Sequence, residues 1–146
     1  MNLQEATKRI TFEYIKTGCE GYQRLLKYIN GNMKGRLDLN NTKVSYLPDG
    51  LKVGGFLDLN YTPITTLPKN LVVGQSLYLI NTPITSLPED LKVFDNINLC
   101  NTLITTLPKN LKVSGWLALK NTPIRNNHTT LELRKMFKHM AYYLYL

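Results

Sequence analysis

Cysteine and histidine are scarce in this chain, with two of each among 146 residues, and that scarcity narrows the chemistry open to it. Cys19 and Cys100 stand far apart, with no CxxC or Cys/His spacing, which argues against a disulfide framework and a structural zinc site. Such sparing use suits a reducing compartment. No run approaches the roughly 18 apolar residues of a membrane span. The opening MNLQEATKRI places Gln and Glu where a secretory leader needs an apolar stretch, so a cytoplasmic protein without a membrane partner is expected. Concentrated charge is missing as well. The net +8 divides into +3 over residues 1–34, +3 over 35–126 and +2 over 127–146. No segment carries the stripe of cations that a nucleic-acid groove needs.

What the chain does have is self-similarity. GRLDLNNTKVSYLPDGLKVG (35–54) is followed by GFLDLNYTPITTLPKNLVVG (55–74), QSLYLINTPITSLPEDLKVF (75–94) and DNINLCNTLITTLPKNLKVS (95–114), then by the part-repeat GWLALKNTPI (115–124). A fixed period of this size marks a solenoid, in which each unit stacks on its neighbours and none folds alone.

Stacking in register turns the repeats into columns. Leu37, Leu57, Leu77, Ile97 and Leu117 form one, and Leu39, Leu59, Leu79, Leu99 and Leu119 the next. Two apolar residues separated by one variable residue is the period of a short half-buried strand, so each unit is expected to begin with a strand that pairs in parallel with the next. Further core columns start at Val44, Leu47, Leu51 and Val53 and recur at the same interval. The side chains of one unit cannot offset the entropy of ordering its backbone, and stacking closes that gap. All seven prolines fall in two columns, headed by Pro48 and Pro63. Proline lacks an N–H and disfavours helix in the residue before it, so the repeats should be free of helices.

The string LxLxxTxIxxLPxxLxV resembles the short leucine-rich repeat of bacterial and bacteriophage proteins over residues 35–124, and the LQEATxxI…EYIKTG-like opening is similar to phage-encoded members. The resemblance implies a parallel-strand solenoid of about five rungs and a protein-binding role, with inhibition or modulation of a host protein as its phage context. Where that family usually carries Asn after the strand, this chain has Thr42, Thr62, Thr82, Thr102 and Thr122, expected to form a hydroxyl ladder from turn to turn. Asn41, Asn81, Asn101 and Asn121 share that work, with Tyr61 breaking their column.

Residues 1–34 and 127–146 read as helical caps on the repeats of 35–126. Leu3, Ala6, Ile10 and Tyr14 have helical spacing before Gly18, and Tyr22, Leu25, Leu26 and Ile29 repeat it before Gly31. A C-terminal helix capped by Thr129 or Thr130 is expected to run to about Tyr145, with Leu133, Met136, Phe137, Met140, Tyr143 and Leu144 as its stripe. Tyr142 and Tyr145 fall off that stripe, which suggests a homodimer through this helix.

Function is expected on the concave face. Arg36, Asp38 and Asn40; Phe56, Asp58 and Asn60; Ser76, Tyr78 and Ile80; Asn96, Asn98 and Cys100; and Trp116, Ala118 and Lys120 flank the core columns and change in every unit. Variation inside one chain marks a surface free to be tailored. The expected partner-binding residues are Arg36, Asp38, Phe56, Asp58, Tyr78, Ile80, Asn98, Cys100, Trp116 and Lys120, a mixture of aromatic and charged groups typical of protein interfaces. Catalysis finds less support. Asp38 and Asp58 should lie about 5 Å apart on adjacent strands, the distance of an acid/base or cation-binding pair, but only Asn40, Asn60 and Arg36 accompany them. His128 and His139 lie outside the repeats, and no basic neighbour activates Cys100. No enzyme activity, cofactor or metal is expected. Nucleic acid is the alternative partner, with Arg36, Lys120 and Arg125 beside the aromatics, and it is opposed by Asp38 and Asp58 in the same surface.

Overall fold

The computed structural model describes residues 3–136 and 144–145. Each repeat opens on a two-residue strand, β1 (Leu37–Asp38), β3 (Leu57–Asp58), β5 (Leu77–Tyr78), β7 (Ile97–Asn98) and β8 (Leu117–Ala118). These pair in parallel one repeat apart, with Leu37 level with Leu57, Leu57 with Leu77, Leu77 with Ile97 and Ile97 with Leu117. The bonds repeat with the sequence: Leu37 and Leu39 donate their N–H groups to the carbonyls of Phe56 and Asp58, each at 2.9 Å, and each later rung does the same to the next. All six expected core columns are buried, with Leu107 alone half-buried.

The valine column does more than pack. β2 (Lys52–Val53), β4 (Val72–Val73) and β6 (Lys92–Val93) form a second parallel sheet on the return path, which column spacing alone did not distinguish from extended chain. Rungs approach closely here, because a Cβ on Gly74 would collide with the carbonyl oxygen of Gly54.

The turn after each strand departs from the expected ladder. Thr42, Thr62, Thr82 and Thr102 each donate Oγ1–H to the leucine carbonyl three residues back at 2.7 Å, and Thr122 does so at 2.6 Å. Each hydroxyl therefore closes its own turn and does not reach the next rung. Asn41, Asn81, Asn101 and Asn121 occupy the left-handed region at φ between 54° and 58°, where asparagine is among the few tolerated side chains. One cross-rung tie in this column comes from Asn121, whose Nδ2 donates to Asn101 Oδ1 at 2.8 Å.

At the N-terminal end α1 (Leu3–Thr17) and α2 (Glu20–Asn30) cover the first rung, burying Ala6, Ile10, Tyr22, Leu25 and Ile29. Gly18, at φ 63°, ends α1. Gly21 lets α2 sit directly on Thr42 and Val44, which any Cβ at 21 would strike.

The C-terminal end corrects two expectations. A short helix, α3 (Pro123–Asn126), does form inside the last part-repeat. Pro123 suits a first helical position and Thr122 Oγ1 accepts from Arg125 N–H, while the LP step that keeps other repeats extended is absent after Ile124. The second helix, α4 (Thr130–Met136), begins with a reciprocal cap: Glu132 N–H donates to Thr129 Oγ1 at 3.2 Å, and Thr129 N–H donates to Glu132 Oε2 at 2.7 Å. It buries Leu133 but leaves Met136 exposed, and it does not continue to Tyr145. Phe137, His139, Met140, Tyr142 and Tyr143 lie outside the described residues. Leu144–Tyr145 instead form β9, paired in parallel with β8 as the sixth strand of the long sheet. Leu119 N–H donates to the Tyr145 carbonyl at 2.8 Å, so the tail supplies the rung that the repeats do not. Among the described residues no helix is long and apolar enough to cross a membrane.

Candidate interaction surface

Strand alternation turns residues 36, 38 and 40 and their equivalents away from the core. Of the ten expected partner-binding residues, Arg36, Asp38 and Lys120 are exposed and Phe56, Asp58, Tyr78, Ile80, Asn98, Cys100 and Trp116 are half-buried. Three flanking positions, Asn60, Ser76 and Ala118, are buried and do not belong to the accessible face. Ser76 is buried because its hydroxyl donates to Asp95 Oδ2 at 2.9 Å and accepts from Asn96 Nδ2 at 3.1 Å. Ala118 is buried level with Tyr145, the strand its neighbours gain from the tail.

The aromatics are not scattered. Phe56 and Tyr78 meet edge to face with centroids 6.0 Å apart, and the Arg36 guanidinium stands 5.9 Å over the Phe56 ring. Such pairs hold each other's rotamers, so the group presents a fixed surface. The register explains the contact. Phe56 lies two residues before Asp58, which is level with Tyr78, so the rings are diagonal neighbours on adjacent strands. The same diagonal recurs at the far end, where Trp116 meets Tyr145 at 6.0 Å. Asn96 fixes this second pair from the previous rung, because its Oδ1 accepts Trp116 N–H at 2.8 Å.

Asp38 and Asp58 are level with each other in the parallel register. Each has a structural duty: Asp38 Oδ1 accepts Asn40 N–H at 3.0 Å and Asp58 Oδ1 accepts Asn60 N–H at 2.9 Å, while Asn98 does the same for Cys100 at 3.1 Å. An amide thus serves where a carboxylate serves, and charge is not needed for the turn. Burial, followed by repulsion from Asp38, pushes the Asp58 carboxyl above its ordinary range against the pull of the Asn60 N–H. Among the described residues no cation lies within ion-pair distance of Asp58. Away from this face, His128 Nδ1–H donates to the Ile124 carbonyl at 3.0 Å and holds the turn between α3 and α4.

Sequence reasoning missed residues outside the repeats that border this face. Arg24, Lys27 and Lys34 line one depression with Arg36. They belong to no column, and only the docking of α2 on β1 brings them beside the sheet. Tyr145 is expected as an off-stripe contact of a C-terminal helix, and its place beside Trp116 on this face does not follow from that spacing. No protein-family model, no curated protein and no solved structure matches this chain.

Proposed function

We propose that this protein is a non-enzymatic binding module that receives a partner protein on the outward face of its long sheet. The observation that carries the reading is the contrast between columns: core positions repeat from unit to unit, whereas the outward set of three residues differs in every unit, and this face, completed by the tail, brings together Arg36, Phe56, Tyr78, Trp116 and Tyr145 in two braced aromatic groups. Rigid aromatics beside charged groups lose little entropy on binding and commonly dominate interface energetics. The sequence resemblance to bacterial and phage leucine-rich repeats supports a cytoplasmic setting in which the module occupies, and thereby inhibits or modulates, a host protein. Nucleic acid is the second reading, favoured by Arg36 over Phe56 and by Lys120, and opposed by Asp38 and Asp58 between them.

The test compares the wild-type chain with a Phe56→Ala/Tyr78→Ala/Trp116→Ala variant as bait in a bacterial lysate, with bound proteins identified by mass spectrometry and their affinities then measured singly. A true partner loses about 1 kcal/mol or more per substituted aromatic while circular dichroism stays the same. A partner held equally by both baits rejects this face as the interface. An oligonucleotide held more tightly than any protein replaces the reading with the second one.

A further inference from the structure

The chain between α2 and β1 is locked in place by one phenol. Tyr28 Oη–H donates to the Met33 carbonyl at 2.6 Å, with the Gly35 carbonyl 3.1 Å away, and the same oxygen accepts Gly54 N–H at 3.1 Å. Burial raises the Tyr28 pKa, so this hydroxyl keeps its proton. The lock fixes where Lys34 and Arg36 leave the backbone, beside the last turn of α2 that carries Lys27. The result is a depression of about 360 Å³ lined by Arg24, Lys27, Lys34 and Arg36, with Tyr28 and Asp38. Arg24 is engaged by Glu20 at 2.7 Å. Among the described residues no carboxylate lies within ion-pair distance of Lys27, Lys34 or Arg36. Three cations without an ion-pair partner among the described residues therefore line one concavity together with the single carboxylate of Asp38, and the Arg36 guanidinium stands 5.9 Å over the Phe56 ring.

We propose that this depression receives the carboxylate of an Asp or Glu side chain from the partner polypeptide, whose extended chain continues from there onto Phe56 and Tyr78. The proposal rests on the sheet-face reading and names the chemistry of one end of it. Lys27, Lys34 and Arg36 outnumber the one carboxylate of Asp38, so the depression stays net positive, and a further carboxylate offsets that charge while matching the guanidinium fork of Arg36. Charge order along the face selects a polypeptide over a nucleic acid. Asp38 stands at the edge of the depression, level with Asp58 on the next strand, and uncharged Tyr78, Ile80 and Asn98 follow. A strand of phosphates would have to run its next charges over two carboxylates. A polypeptide can follow its acidic residue with a basic or neutral one, and Asp58, which has no cation of its own, suits that next position.

The experiment titrates the ¹⁵N-labelled full chain with acetyl-hexaglutamate amide and, separately, with hexathymidylate, following amide shifts at low ionic strength. Hexaglutamate is expected to move the amides of residues 27–36, with an affinity that falls as salt rises. A Lys27→Ala/Lys34→Ala/Arg36→Ala variant should bind it about tenfold more weakly. A control variant, Lys8→Ala/Lys16→Ala/Lys43→Ala, loses the same charge from exposed positions elsewhere and should titrate as wild type. Absence of shifts in 27–36, equal weakening in both variants, or tighter binding of hexathymidylate at matched charge overturns the proposal. An anion site lost here with the aromatic dependence of the protein partner intact removes this inference alone. An anion site retained while the protein partner ignores the aromatics overturns the sheet-face reading and this proposal with it, since the partner chain then does not continue onto Phe56 and Tyr78.

Discussion

Asn60 Oδ1 accepts the Ile80 N–H across one rung at 2.6 Å, and the reason lies at position 78. In the neighbouring rungs Asp38, Asp58 and Asn98 each accept the N–H two residues ahead in their own turn. Tyr78 carries no such acceptor, and Asn60, buried to 9% exposure, supplies one from the rung before. An aromatic on the outward face is thus made compatible with the turn by its neighbour. Asn60→Ala should cost about 1–3 kcal/mol in urea melts, the price of a buried N–H left unpaired. In a Tyr78→Asn background the cost should shrink, because position 78 then accepts the bond itself. Equal costs in both backgrounds would show that the two residues are not coupled.

Tyr61 sits at φ 57° in the column where every other rung has asparagine. Its side chain is 56% exposed, so little burial offsets the left-handed backbone. Tyr61→Asn should therefore raise stability by about 0.5–1 kcal/mol, measured as a shift of the denaturation midpoint without a change in slope. A destabilised variant would mean that the phenol makes contacts worth more than the backbone relief.

The contrast between these two positions shows what the sequence carried. Leu39 and Leu79 announced the core because burial repeats with the chain, and strand register follows from that repetition. Asparagine 41 and its equivalents were read as hydrogen-bonding partners, since sequence shows polarity and conceals φ. Leu144 fits a helical stripe by spacing, with Tyr145 beside it on the same expected helix, and only the unpaired side of β8 makes them a strand. That is a tertiary cause with no local signal. Lys27 and Lys34 likewise became part of a surface only when α2 docked.

Leu79 lies at the centre of the stack and is completely buried. Leu79→Ala should cost about 2–5 kcal/mol, because rungs on both sides hold the cavity open. Lys69→Ala, exposed on the return path, should change stability by less than about 0.5 kcal/mol. A Leu79 loss below 1 kcal/mol in the same melts would refute the core assignment.

Acid and neutral pH should separate two carboxylates. Asp58 holds its proton above its ordinary value of 3.8, chiefly through burial and then through Asp38. The folded state therefore binds more protons than the unfolded state in that window, and stability falls as pH rises through it. Asp58→Asn keeps the acceptor for Asn60 N–H and removes the charge, so its melting temperature should exceed that of wild type at pH 7 and match it at pH 3. Glu132 behaves oppositely. Hydrogen bonds from Thr129 hold it below its ordinary 4.5, so its contribution is present above that value and is lost as pH falls through the lowered one. Glu132→Gln should weaken the α4 cap at pH 7 and be indistinguishable from wild type in strong acid. A gain for Asp58→Asn that is the same at both pH values would rule out charge as its cause.

The C-terminal tail can be followed through the chain's single tryptophan. Trp116 is half-buried and meets Tyr145 edge to face at 6.0 Å, so its emission reports whether β9 is docked on β8. Tyr145→Ala should shift that emission to longer wavelength while leaving the backbone bond from Leu119 N–H in place. Deleting residues 142–146 should produce the same shift and also speed hydrogen exchange at the Leu119 amide, since its acceptor is gone. The deletion further exposes the edge of β8, and light scattering on both chains tells whether β9, the terminal strand, had been shared with a second copy: a fall from dimer to monomer assigns β9 an interface role, and an unchanged monomer of lower stability assigns it a capping role alone. Should the deletion leave both Trp116 emission and Leu119 exchange as they were, the tail does not form the sixth strand in solution.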